Sequence, residues 1–224
     1  MSLKKASILI VLILLVDQIS KIYVKTHFML GDEVKVFDWF RILFVENDGM
    51  AWGAKLSDFF SFITDETAKL ILTLFRIVAV TGIGYWLVSA TKKKRTRVLI
   101  ISVALIFAGA LGNILDSVFY GVLFDDSARQ VASFLPEQGY AGVFHGKVVD
   151  MLHFPIWNGV FPEWFPFWGG KAFTFFQPVF NIADVAISTG VGILLVFNKK
   201  AFPKEEESPT ETDTLFEVSH NNQG

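Results

Sequence analysis

The chain has 224 residues, 52% of them hydrophobic, with 22 acidic and 20 basic side chains for a net charge of −2. That balance carries no excess of positive charge for nucleic acid, and the absence of cysteine excludes both a disulfide framework and a thiolate metal site. The apolar residues are gathered into runs. Crossing a hydrocarbon layer of roughly 30 Å takes about 20 helical residues, and four windows qualify, at residues 6–24, 68–90, 98–120 and 178–198. Continuous apolar runs lack the alternation of a membrane barrel, so the spans are read as helices.

The first window follows Lys4 and Lys5, as a secretory leader would. No small-x-small cleavage site succeeds it, and Asp17, Gln18 and Lys21 follow with three more spans, so it reads as a retained helix. Residues 28–65 are too polar for lipid and contain strand-like runs at Val34 to Phe37 and Phe40 to Val45, which predicts a small β-rich unit. From Lys25 to Glu66 there are basic side chains at Lys25, Lys35, Arg41 and Lys55, outnumbered by Asp32, Glu33, Asp38, Glu46, Asp48, Asp58, Asp65 and Glu66. The turn between spans two and three instead reads Lys92, Lys93, Lys94, Arg95, Thr96, Arg97, and span four is followed by Lys199, Lys200 and Lys204. Basic loops stay in the cytoplasm. In a short turn between spans this cluster sets topology and does not bind nucleic acid. Both termini are therefore expected inside, with 28–65 outside.

Residues 121–177 form a long outer loop rich in aromatic rings, among them Trp157, Phe161, Trp164, Phe165, Phe167 and Trp168. Such rings suit either a ridge on the outer leaflet or the core of a small subdomain. Residues 201–224 are rich in Glu, Ser, Thr and Asn without apolar periodicity, and are expected to be a disordered cytoplasmic tail. Ala104, Ala108 and Gly112 in span three, and Ala186 and Gly190 in span four, recur at four-residue spacing that lets helices approach closely. The fold class expected is a membrane all-α protein. It is a four-helix transmembrane bundle over residues 1–200, with a small extracytoplasmic β-rich unit and a long outer loop.

Ionisable groups inside spans are costly and mark function. Asp17 and Lys21 lie four apart on one helical face; Asn113 and Asp116, and again Asn181 and Asp184, lie three apart. Given the directions of the spans, Asp17, Asp116 and Asp184 share one depth, with Asp184 on the order of 10 Å below the start of its helix. Asp150, flanked by Val148, Val149, Met151 and Leu152, reads as a strand or re-entrant piece dipping toward the membrane. Two carboxylates brought together in a low dielectric share a proton, so that one activates water while the other protonates a carbonyl oxygen. Zinc-peptidase and serine-nucleophile motifs are absent from the sequence, and His27, His145, His153 and His220 have no ligand-like spacing. Intramembrane Asp and Lys also suit a proton-coupled transporter, but neither an internal repeat nor midplane binding groups are visible. A non-catalytic scaffold would leave the carboxylates and asparagines without purpose.

Five blocks occur in order: V-D-Q-I-S-K at Val16 to Lys21, N-D-G-M-A-W-G at Asn47 to Gly53, G-N-I-L-D at Gly112 to Asp116, V-V-D at Val148 to Asp150, and F-N-I-A-D at Phe180 to Asp184. Together they resemble the lipoprotein (type II) signal peptidases, the membrane aspartic proteases of bacteria. The resemblance implies a multi-pass enzyme of the bacterial cytoplasmic membrane, with its active site toward the outer leaflet. It would remove the signal peptide from diacylglyceryl-modified prolipoproteins, which bear a lipid-modified cysteine. It implies that no metal or organic cofactor is needed; membrane lipids are the expected further partners, and a monomer is the expected state. It casts Asp150 and Asp184 as the catalytic pair, and Asp17, Lys21, Asn47, Gly49, Asn113, Asp116 and Asn181 as substrate-binding or supporting residues. Spacing alone leaves Asp116 with Asp184 open as the pair. The chain departs from the family pattern at Ser117, where an arginine is usual, at Met50, where a small residue is usual, and in a longer connection from Asp116 to Asp150. Arg129, Lys147 and Lys171 are the sequence candidates for the missing positive group.

Overall fold

The structure, a computed structural model, describes residues 1–48, 64–175 and 178–203. Gly49, Met50 and most of the tail lie outside the described residues. Among the described residues, three helices are long and apolar enough to cross a membrane: α1 (Leu3–His27), α2 (Asp65–Lys92) and α3 (Arg97–Leu123). Each begins on a hydroxyl cap, Ser2, Thr64 and Thr96 respectively, whose side chain accepts a first-turn backbone N–H. The fourth window behaves differently. Its apolar helix α4 (Ile182–Val196) has 15 residues, followed by the short α5 (Asn198–Ala201) carrying Lys199 and Lys200.

The start of α4, four residues into the 178–198 window, has a local cause. Asn181 accepts the backbone N–H of Asp184 and Asp184 accepts that of Asn181, a reciprocal capping box. Upstream, Val179–Phe180 is strand β6, so the chain enters the helix from a sheet. That sheet is antiparallel in the order β1-β2-β3-β6, with β1 (Glu33–Phe37), β2 (Phe40–Asn47) and β3 (Val148–His153). Its first two strands come from the 28–65 segment, while β3 comes from the long connection. The β-rich unit is thus built from both connections. The register sets Val45 opposite Asp150 and Asn47 opposite Val148, with an irregularity between Ile42 and Val45.

The long connection holds a second ladder, β4 (Trp157–Val160) with β5 (Ala172–Phe175). Between these strands Phe161, Trp164, Phe165 and Trp168 pack ring against ring, while Trp164, Phe167 and Trp168 stay 79%, 92% and 54% exposed. The rings therefore stack on one another with Phe161 and Phe165 partly buried, while Trp164, Phe167 and Trp168 remain exposed.

Among the helices, α4 lies along α3 at close approach. A Cβ on Gly190 would come 2.6 Å from the Ser102 carbonyl oxygen, so only glycine allows this spacing. One apolar cluster joins α1, α2 and α3 around Ala6, Leu87, Ile100 and Ala104. A second, around Val24, Phe44, Tyr120, Phe124 and Val149, glues the sheet to the ends of α1 and α3. The sheet end of the bundle is where the polar residues collect.

Candidate active site

Lys21 is fully buried on α1 and its ammonium is shared three ways. It lies 2.9 Å from Asp17 Oδ2 and 2.8 Å from Asp116 Oδ2, and it donates to Asn113 Oδ1 at 2.9 Å. Gln18 closes the cluster by donating from Nε2 to Asp17 Oδ2 (3.0 Å), Asp116 Oδ1 (2.9 Å) and the Gly112 carbonyl (3.3 Å). Its own Oε1 accepts from the Tyr120 hydroxyl at 3.2 Å. Two buried carboxylates around one ammonium would leave a charge uncompensated, and the amide of Gln18 supplies the remaining donors.

This cluster points outward through its carboxylates. Asp17 Oδ1 accepts the Ala183 N–H at 2.9 Å, which holds the first turn of α4. Asp116 Oδ2 accepts the Val149 N–H at 3.3 Å, which holds β3 one residue before Asp150. Gly112 makes room for the arrangement, because a Cβ there would meet Asp17 Oδ2 at 2.7 Å.

Asp150 and Asp184 meet through asparagines. Asn181, fully buried, donates from Nδ2 to Asp150 Oδ1 at 2.7 Å, to Asn113 Oδ1 at 3.1 Å and to the Val149 carbonyl at 3.3 Å. Its backbone N–H donates to Asp184 Oδ2 at 3.3 Å. Asn113 donates from Nδ2 to Asp184 Oδ1 at 2.9 Å, and Asn47 donates from Nδ2 to Asp150 Oδ2 at 3.2 Å. Each carboxylate is thus gripped on both oxygens, and Asn181 is common to the two. Asp150 is 3% exposed, whereas Asp184 is only half-buried. Burial, and then the neighbouring Asp184 carboxylate, push the Asp150 carboxyl up to about 7.

The two acids left open by spacing are thereby separated by their surroundings. Asp116 is held by Lys21 and Gln18 and faces Asp17; Asp150 has amide donors and faces Asp184. The sequence candidates for a positive group lie elsewhere: Lys147 pairs with Glu46 at 3.4 Å, and Arg129 and Lys171 are exposed. Ser117 donates back to the Asn113 carbonyl at 2.9 Å. The guanidinium within electrostatic reach of Asp184 is that of Arg76 on α2. Arg76, together with Gln18 and Tyr120, was not among the sequence candidates, although a lone arginine inside an apolar span is itself a signal.

Comparison with known proteins gives a consistent answer. The family model described as signal peptidase (SPase) II matches residues 9–199. A lipoprotein signal peptidase of Porphyromonas gingivalis is 45% identical over 225 residues, covering 94% of this chain and 95% of that protein. One from Amoebophilus asiaticus is 34% identical over 218 residues, covering 93% and 85%. Two solved structures described as bacterial membrane enzymes share the fold. One has a TM-score of 0.57 at 21% identity over 89% of this chain and 96% of that one; the other has 0.54 at 22% over 92% and 95%.

Proposed function

We propose, for a chain that belongs to the signal peptidase II family, that Asp150 and Asp184 are the acids that hydrolyse the peptide bond of a prolipoprotein. The chain is a bacterial membrane enzyme that removes signal peptides from prolipoproteins. The observation that carries the site assignment is the asparagine bridge: Asn181 contacts Asp150 through its side chain and Asp184 through its backbone.

Asp150, pushed up to about 7, is the member that holds a proton near neutral pH. In the forward step Asp184 takes a proton from water as the water oxygen attacks the scissile carbonyl carbon, and Asp150 gives its proton to the carbonyl oxygen. A neutral gem-diol results. The diol then returns a proton to Asp150, the C–N bond breaks, and Asp184 hands its proton to the departing amine. Both acids end as they began. The amide donors of Asn47, Asn113 and Asn181 hold the carboxylate oxygens without adding charge, which keeps the pair's shared proton available.

The proposal extends to the finer placement. The helix α4 serves as the fourth span, the sheet end lies at the outer leaflet, and both termini lie in the cytoplasm, in keeping with the basic residues at 92–97 and 199–200. A diacylglyceryl-modified cysteine would rest in that leaflet, presenting its scissile bond at the level of the pair. The enzyme works as a monomer among membrane lipids and uses no cofactor. Replacing Asp150 and Asp184 separately by asparagine should each lead to accumulation of uncleaved prolipoprotein in cells. Normal processing in either variant removes that acid from the pair.

A further inference from the structure

Lys25 ends α1 one turn beyond Lys21, at the bundle end where a lysine ordinarily extends to water. It is fully buried instead. Its ammonium lies 2.5 Å from Glu46 Oε1 and donates to Ser127 Oγ at 2.8 Å, while Ser127 Oγ donates to the same Glu46 oxygen at 3.1 Å. The rings of Tyr140, Phe124 and Phe44 surround the ammonium at 4.9, 5.4 and 5.8 Å. Glu46 Oε2 lies 3.4 Å from Lys147, the residue that leads into β3, and the Lys147 backbone N–H donates to the Tyr140 hydroxyl at 2.7 Å. One carboxylate thereby ties together α1, β2, the connection after α3, and the entry to β3.

The reaction needs this because of where β2 slips. Between Ile42 and Val45 the ladder with β3 is irregular, so the pairing at residues 41–42 does not dictate the pairing at 45–47. A one-residue shift would turn Asn47 to the opposite face of the strand and away from Asp150. Glu46 precedes Asn47 and points the other way, into the clamp. Buried ion pairs add little net stability, and their best-attested use is to fix a register. We infer that Lys25, Glu46 and Ser127 form a buried clamp that holds β2 in the register seating Asn47 on Asp150, which makes them positioning residues for the cleavage. The inference rests on Asp150 as a reacting acid.

The charged groups acting on Asp150 are Asp184 from α4 and Lys21 from α1, and neither belongs to the clamp. The clamp reaches Asp150 through Asn47, whose donor favours the charged carboxylate. Its loss lets Asp150 keep its proton to higher pH. The test measures kcat/KM against pH for the full chain in lipid vesicles, with a lipid-modified signal-peptide substrate. Removing one clamp charge strands the other, so the principal variant replaces both, Lys25→Met with Glu46→Leu, and Ser127→Ala serves as the milder change.

The paired variant should move the alkaline limb upward by about 0.5 pH unit or more, as Asn47→Ala alone should, and adding Asn47→Ala to it should move the limb no further. Ser127→Ala should shift in the same direction by less. A wild-type limb in the paired variant, whatever its unfolding temperature, overturns the clamp, as does a shift that adds fully to that of Asn47→Ala. These outcomes are separate from the assignment beneath them. Continued cleavage by Asp150→Asn overturns the acid, while a dead Asp150→Asn beside an unshifted clamp variant overturns the clamp alone.

Discussion

At the scale of single residues, the cost of the site falls on Asp150. An unfolded aspartate titrates near about 4, whereas in the fold burial and Asp184 move it up to about 7. Folding therefore takes up a proton between those values. The favourable contribution of Asp150 is complete below the unfolded value and is lost as pH rises through about 7, where a buried charge costs on the order of a few kcal/mol. Asp150→Asn removes that titration. Its unfolding temperature relative to wild type, followed by thermal melts in detergent at pH 5 and pH 8, should rise with pH. An unchanged difference would mean that Asp150 is not held protonated by the fold. Asp17, Lys21, Asn113, Asp116, Asn181 and Asp184 were legible in the sequence because polar groups stand out against apolar runs. Which acid takes the ammonium of Lys21 was not legible, because that choice depends on β3 being brought back from far along the chain onto Asp116. Arg76 carried the same signal as the others, but its polar neighbour at that spacing is Thr73, a hydroxyl and not the acid or amide that marks the other pairs.

At the scale of elements, the site depends on how closely α3 meets α1 and α4. At Gly112 a Cβ would lie 2.7 Å from Asp17 Oδ2 and 3.3 Å from the Ala183 Cβ, between two helices that cannot separate without losing their packing. Gly112→Ala should push Asp17 off the Ala183 N–H, cost about 1–3 kcal/mol of stability and lower cleavage at the same time. Unfolding and cleavage assays on one preparation check both effects; a stable, fully active variant would show that the Asp17 contact to α4 is dispensable. The long helices and the strands β1 and β2 were readable from apolar runs and from β-branched and aromatic residues. The β4–β5 ladder was not, because each strand has only four residues and β4 contains Asn158-Gly159, a pair that reads as a turn. Nor was β6 readable, since two residues carry no period and their partner is β3 from the preceding connection. The capping box at Asn181 and Asp184 was visible as an i, i+3 pair. There it read only as chemistry, although the same two side chains also begin the helix.

At the scale of the whole molecule, the absence of cysteine makes orientation directly measurable. Lys35→Cys, on an exposed strand of the sheet, should react with a membrane-impermeant maleimide on intact cells, and Lys94→Cys only after permeabilisation. The reverse pattern would invert the topology and put the carboxylates on the wrong face for a secreted substrate. The brevity of α4 has a consequence for the lipid around it. Fifteen helical residues reach about 22 Å, against a hydrocarbon thickness of roughly 30 Å, because the chain ahead of Asn181 is spent on a strand. With α4 as the fourth span, as proposed, acyl chains beside it would shorten or splay to meet it, leaving a dimple in the bilayer next to the proposed acids. Cleavage measured in vesicles of graded acyl length should be faster in thinner bilayers and slow in thick ones. Membrane thickness, which no side chain of the enzyme senses as a ligand, would thereby set how readily a lipid-anchored peptide sinks to the depth of Asp150 and Asp184.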